Sequence, residues 1–251
     1  MHITVSRDVP YLSGGADPRT LDVYRPSLPG PRPTVLLWHG SGRDEKHVMA
    51  PLADAAAALG VTVVVPDWRP DASDRGRGDL LGSLRYVREH AALLETSGLV
   101  LAGWSAGAGA AVALALTSEV PDGGHPSAVV GIAGRYDVPS RSTGTPPLTS
   151  IGNAPDRPAV PIGLVHGSAD TLIPVGHATE FLAALHRAGH PARLDTLDTD
   201  HAGVVMTEYD PAAGFCVPAV SPRVQDAGHR TARILAQAAA AAAPGAPATT
   251  P

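Results

Sequence analysis

The sequence predicts an α/β fold built on a mostly parallel central sheet, with helices on both faces. Three observations predict it. Short continuous apolar runs recur at 35–38, 61–65, 99–102, 128–133 and 162–166, as expected for strands buried on both faces. Segments with helical spacing lie between them. Glycine, proline and aspartate punctuate the joins. Strands alternating with helices give a parallel sheet, because each crossover helix returns the chain to the same end.

The elements follow in order. Residues 21–26 alternate as a short strand ended by Pro26. The buried strand 35–38 runs into a loop, His39-Gly40-Ser41-Gly42. Residues 47–59 are alanine-rich and closed by Gly60, a helix with its stop signal. Strand 61–65 ends at Pro66-Asp67-Trp68, and 70–78 is a Pro/Asp/Gly/Arg loop. Residues 79–95 carry Leu80, Leu81, Leu84, Val87, Ala91 and Leu94 at helical spacing. Strand 99–102 leads into the small-residue helix that starts near Ala108. After strand 128–133, residues 138–159 lack periodicity and predict a long surface loop. Strand 162–166, an amphipathic helix 176–188 ended by Gly189, and an alternating strand 193–197 follow. Residues 202–222 predict a second long loop, and 223–242 the final helix. The expected organisation is one domain over 1–243 and a disordered Ala/Pro/Thr tail over 244–251.

Composition narrows the function. A chain of 251 residues, 44% hydrophobic and 17% charged, is long enough for a well-buried core and too apolar for disorder. The net charge of −5 argues against a nucleic-acid or anionic-membrane partner. A single cysteine, Cys216, excludes an internal disulfide and suggests no thiolate metal site. No segment has signal-peptide or transmembrane character, so the expectation is a cytoplasmic protein.

Gly103-Trp104-Ser105-Ala106-Gly107 falls between a strand and a helix. That is the context of a nucleophile elbow, a sharp turn that lifts a serine hydroxyl out of the sheet. Side chains at Gly103 and Gly107 would collide with the neighbouring strand and helix. A serine hydroxyl is a weak nucleophile at neutral pH. It needs a histidine to take its proton and a carboxylate to hold that histidine in the right tautomer. Candidates follow two later strands, in Val165-His166-Gly167-Ser168-Ala169-Asp170 and in Asp198-Thr199-Asp200-His201-Ala202-Gly203. Asp198 and Asp200 compete with Asp170 for the acid; the strand-end position favours Asp170. His39 and His166 each precede a glycine at a strand end and read as loop braces. Asp67 reads as structural. Asp198, Asp200 and His201 lack a second histidine at ligand spacing, so no metal site is expected. Trp38, Trp68 and Trp104 flank the motif turns and read as core packing.

In residues 21–26, 39–42, 66–67, 103–107, 166–170 and 201 the chain resembles the α/β-hydrolases. Within them it resembles the small carboxylesterases with a His-Gly-Gly-Gly-type oxyanion loop. The resemblance spans residue 21 to about 242. It implies that Ser105 is the nucleophile, His201 the general base and Asp170 the orienting acid. It also implies an oxyanion hole from the N–H of Ala106 and that of Ser41 or Gly42. Serine at 41 departs from the usual glycine, which puts the loop conformation in question. The implied activity is cleavage of small carboxylic esters through an acyl-enzyme, with no cofactor and no metal. The same residue set fits an arylformamidase or other amidase, a thioesterase, a lactonase or an acyltransferase; an inert binding protein on this fold is the remaining alternative. Residues 134–161 carry no apolar stripe for a helical cap. Residues 202–222 carry Val204, Val205, Met206, Phe215 and Val217, expected to wall the site beside His201. The expected site is therefore an open cleft with a small apolar floor.

Overall fold

Among the described residues the central sheet has eight strands: β1 (Ile3–Leu12), β2 (Arg19–Pro26), β3 (Arg32–Trp38), β4 (Thr62–Pro66), β5 (Thr96–Trp104), β6 (Ala128–Ile132), β7 (Ile162–Gly167) and β8 (Ala192–Leu197). Their spatial order is β1-β2-β4-β3-β5-β6-β7-β8. β2 pairs antiparallel with both β1 and β4, and every pairing from β4 to β8 is parallel. The computed structural model describes residues 2–12, 18–118, 120–121, 124–153 and 158–242; positions 1 and 243 and the expected tail 244–251 lie outside the described residues.

Alternation along each strand builds two cores. Val35 and Leu37 of β3 face one way, with Val63, Val65, Val100 and Val130, and are covered by α1 (Ala50–Ala57) and α6 (Pro222–Ala241). Leu36 and Trp38 face the other way, with Val64, Leu101 and Val129, and are covered by α2 (Arg77–Glu89), α3 (Ala106–Leu116) and α5 (Gly176–Arg187). Each such large side chain taken fully out of water stabilises the fold by about 1.5–3 kcal/mol. Helix α3 is buried from Gly107 to Leu116. Its alanines and glycines leave no polar face because no side of it meets solvent.

Four sequence expectations are revised. β1 was not anticipated. The helix expected from 47 begins as a 3-10 turn, Lys46–Met49, before α1. The expected loop 138–159 contains the short helix α4 (Pro147–Ser150). The expected loop 202–222 is a 3-10 turn, Gly203–Val205, followed by an antiparallel hairpin of β9 (Thr207–Asp210) and β10 (Phe215–Pro218). Val204 and Val205 are fully buried in the α1/α6 core, and a Cβ on Gly228 of α6 would meet Met206 Cβ at 2.5 Å. These residues therefore pack under α6 and do not wall the site.

Lys46 ties the antiparallel end of the sheet to the loop after β4. Its ammonium lies 2.6 Å from Asp8, 3.0 Å from Asp67 and 3.5 Å from Asp22, and its backbone N–H donates to Asp67 Oδ1 at 2.9 Å. Asp67 is thus a structural acid. Among the described residues, no helix is long and apolar enough to cross a membrane.

Candidate active site

Ser105 follows β5 at the middle of the sheet and adopts φ +55°, ψ −116°. This is a strained conformation for a residue with a Cβ, stabilised by what surrounds it. The Ser105 N–H donates to Ile132 O at 2.8 Å, and its carbonyl starts α3 by accepting from Ala108 N at 3.1 Å. The two flanking glycines are required by close approach. A Cβ on Gly103 would lie 2.2 Å from Gly107 O, and one on Gly107 would lie 2.5 Å from His39 O. The elbow is pressed between its own helix and the end of β3.

Asp170 and His201 follow β7 and β8. The two strand ends are stitched together by Ser168 N–H to Leu197 O (2.8 Å) and Ala169 N–H to Thr199 O (3.0 Å). Gly167 permits this, since a Cβ there would meet Thr199 O at 2.4 Å. The result is a 2.7 Å hydrogen bond between His201 Nδ1 and Asp170 Oδ2. An ionised carboxylate only accepts, so Nδ1 carries the proton and Nε2 is left with a lone pair. The Asp170 side chain is fully buried, and that of His201 is 12% exposed. Burial pushes the Asp170 carboxyl up, but hydrogen bonds from His166, His201 and the Ile173 N–H outweigh it and hold it well below the usual carboxylate range. Trp104 Nε1 donates to His201 O at 2.9 Å, and the two rings stand 5.2 Å apart, which sets His201 against the residue preceding Ser105. Among the described residues, no hydrogen bond joins the Ser105 hydroxyl to the His201 ring.

The competing carboxylates go elsewhere. Asp198 pairs with Arg223 on the surface, and Asp200 accepts the Gly203 N–H at 2.8 Å. His39 is a brace: Nε2 accepts the Trp68 N–H and Nδ1 donates to Gly40 O, each at 3.1 Å, and burial pushes its pKa down to about 3. His166 does more than brace. Its Nε2 meets Ile173 O at 2.7 Å and Asp170 Oδ2 at 3.3 Å. It is therefore a second imidazole on the acid, a role that the sequence pattern did not signal.

Of the expected oxyanion donors, Ala106 and Ser41 line the same cleft as Ser105. Ala106 is the first residue of α3, where N–H groups lack intrahelical acceptors and the helix dipole is positive. Ser41 adopts no positive φ, so serine there costs no left-handed strain. Gly42 does not line the cleft: a Cβ there would collide with the Glu45 carboxylate. The cleft is an open depression of about 420 Å³. Val138, Pro139 and Ile173 give it a small apolar surface, and Arg75, Arg135 and Arg141 give it positive charge. These arginines were not foreseen. Residues 134–161 supply part of its wall, and among the described residues there the only helix is α4, four residues long.

No family model matches the chain, and no curated protein matches it. Among solved structures the chain is similar to Thermogutta terrifontis esterase 2 phosphoramylated by tabun, with 18% identity, TM-score 0.69, and 93% of this chain and 94% of that chain covered. The propionate-bound form of that esterase gives 18% identity and TM-score 0.68, covering 93% and 92%. A truncated carbohydrate esterase from gut microbiota gives 17% identity and TM-score 0.65, covering 94% and 96%.

Proposed function

We propose that this chain, an α/β-hydrolase by fold, is a serine hydrolase that cleaves small carboxylic esters through an acyl-enzyme. The observation that carries the reading is the buried Asp170–His201 hydrogen bond beside a serine held at positive φ between Gly103 and Gly107. In this reading Ser105 Oγ attacks the ester carbonyl and His201 Nε2 takes its proton. The N–H groups of Ala106 and Ser41 receive the oxyanion. The alcohol departs with the proton from His201. Water, deprotonated by His201, then attacks the acyl carbonyl; the acid leaves and Ser105 is reprotonated. Asp170 stays ionised throughout and stabilises the imidazolium. The similarity to Thermogutta terrifontis esterase 2, solved phosphoramylated by tabun and with propionate bound, supports ester cleavage with a small acyl group.

The test is labelling with a fluorophosphonate probe, together with turnover of p-nitrophenyl acetate by the parent and by Ser105→Ala. Labelling and turnover should both vanish in the variant, with a rate loss of about 10⁴–10⁶. Activity within roughly tenfold of the parent would remove Ser105 from the mechanism. Formanilide and thioester substrates run alongside separate ester cleavage from amidase and thioesterase activity.

A further inference from the structure

The cleft around Ser105 carries more positive charge than its own carboxylates balance. Arg135 is compensated: its Nε and Nη2 donate to the two oxygens of Asp137 at 2.8 and 3.1 Å. Arg75 and Arg141 are not. Among the described residues neither forms an ion pair, and Arg141 has only the Pro70 carbonyl, 3.3 Å from Nη1. The nearby acids are committed elsewhere. Asp74 accepts the N–H groups of Gly76 and Gly78, Asp79 accepts the Arg69 N–H, and Asp71 lies 3.9 Å from Arg43. Arg141 is half-buried, a position where a guanidinium is ordinarily paired. Burial first, and then the charge of Arg75, lower its pKa below the ordinary arginine value. Two cations that repel each other across a cleft are a cost unless something negative sits between them.

The backbone holds this arrangement. Arg75 is itself at φ +60°, and its N–H donates to Ala72 O at 2.8 Å. Gly76 follows at φ +83°, where a Cβ would meet the Trp68 ring at 2.4 Å. A non-glycine residue kept in the left-handed region at the rim of a site, beside an uncompensated partner, points to use of its side chain.

We propose that the ester cleaved at Ser105 bears an anionic oxygen group, a carboxylate, which Arg141 and Arg75 receive. This rests on the serine-hydrolase reading and adds the substrate's charge to it. Arg141, half-buried, fixes the carboxylate by charge-assisted hydrogen bonds; Arg75, at the rim, adds attraction that salt screens. The carboxylate belongs either to the acyl part, as in the half-ester of a dicarboxylic acid, or to the alcohol part.

The experiment has one arm for each source. In the acyl arm, p-nitrophenyl hemisuccinate is compared with neutral p-nitrophenyl pentanoate. In the alcohol arm, 4-acetoxybenzoate is compared with 4-acetoxybenzamide, each rate divided by the uncatalysed one. The full chain should favour the anionic ester in one arm by roughly tenfold to a hundredfold in kcat/KM, mostly through KM. That ratio should fall as sodium chloride rises. In Arg141→Gln it should fall by about tenfold or more, with a smaller fall in Arg75→Gln and partial recovery in Arg141→Lys. Ratios within about twofold of unity in both arms of the parent, or a preference untouched by both glutamine variants, would overturn the proposal. Should no ester of any kind be cleaved, the serine-hydrolase reading fails by itself. Calorimetric titration of the chain with succinate then decides the anion site: binding that Arg141→Gln abolishes supports it, and no binding by the parent overturns it.

Discussion

Asp170 has every oxygen engaged. Oδ1 accepts the N–H groups of Leu172 and Ile173 at 3.0 and 2.9 Å, and Oδ2 faces the imidazoles of His201 and His166. Such a carboxylate stays ionised and does not rotate, which is what an orienting acid needs. In the proposed mechanism, His201→Ala should cost about 10⁴–10⁶ in kcat, and Asp170→Asn roughly 10⁴, because the amide favours the wrong tautomer. If Asp198→Ala or Asp200→Ala disables the enzyme while Asp170→Ala does not, the acid is misassigned. A second residue-scale prediction concerns His39. Its folded pKa of about 3 lies below the usual value of 6.5. The unfolded chain therefore binds a proton that the folded one refuses, and stability falls as pH drops from 6.5 towards 3. The residue contributes about 1.4 kcal/mol per pH unit to that slope. Urea unfolding of the parent and of His39→Gln between these limits checks it. The variant's slope should be shallower by one proton, whatever its absolute stability.

At the scale of elements, the elbow depends on two hydrogens. Gly103→Ala and Gly107→Ala each drive a methyl into backbone, which cannot rotate away, and should cost about 3 kcal/mol or more along with activity. Gly163→Ala in β7 is the control, since its Cβ would meet nothing closer than 3.6 Å. Its unfolding midpoint should stay near that of the parent; equal damage at all three sites would mean that crowding is not the reason for the elbow glycines. The same contrast explains what was legible in the sequence. Strands β3 to β7 are buried on both faces, so each reads as an apolar run without knowledge of its neighbours. The residues Ser105, Asp170 and His201 stand just beyond strands β5, β7 and β8 and are readable for that reason. β1 gives no such signal: none of its residues is fully buried, Asp8 sits at φ +54°, and its register with β2 shifts twice. Val204, Val205 and Met206 are apolar near the site for a reason that the local sequence does not contain, namely that α6 lies over them. Arg75 and Arg141 line one cleft only because two aperiodic loops, far apart in the chain, close on it.

For the whole molecule, the open cleft sets a limit on substrate size. Each methylene buried contributes about 0.8 kcal/mol, close to fourfold in kcat/KM, and the gain stops where the wall stops. With little more than Ala106, Val138, Pro139 and Ile173 as apolar lining among the described residues, p-nitrophenyl esters should peak between acetyl and butyryl. A rise continuing to dodecanoyl, with activation at a lipid interface, would reveal a lid. The sheet order carries a different consequence. Among the described residues β8 is the last strand of the sheet, bonded on one side only, and the loop after it holds His201, whereas Ser105 follows an inner strand. Rims open with less free energy than centres. The molecule therefore has a fuse: urea should silence turnover while circular dichroism still reports an intact fold. Coincident midpoints for the two signals would mean instead that the rim and the centre come apart as one unit.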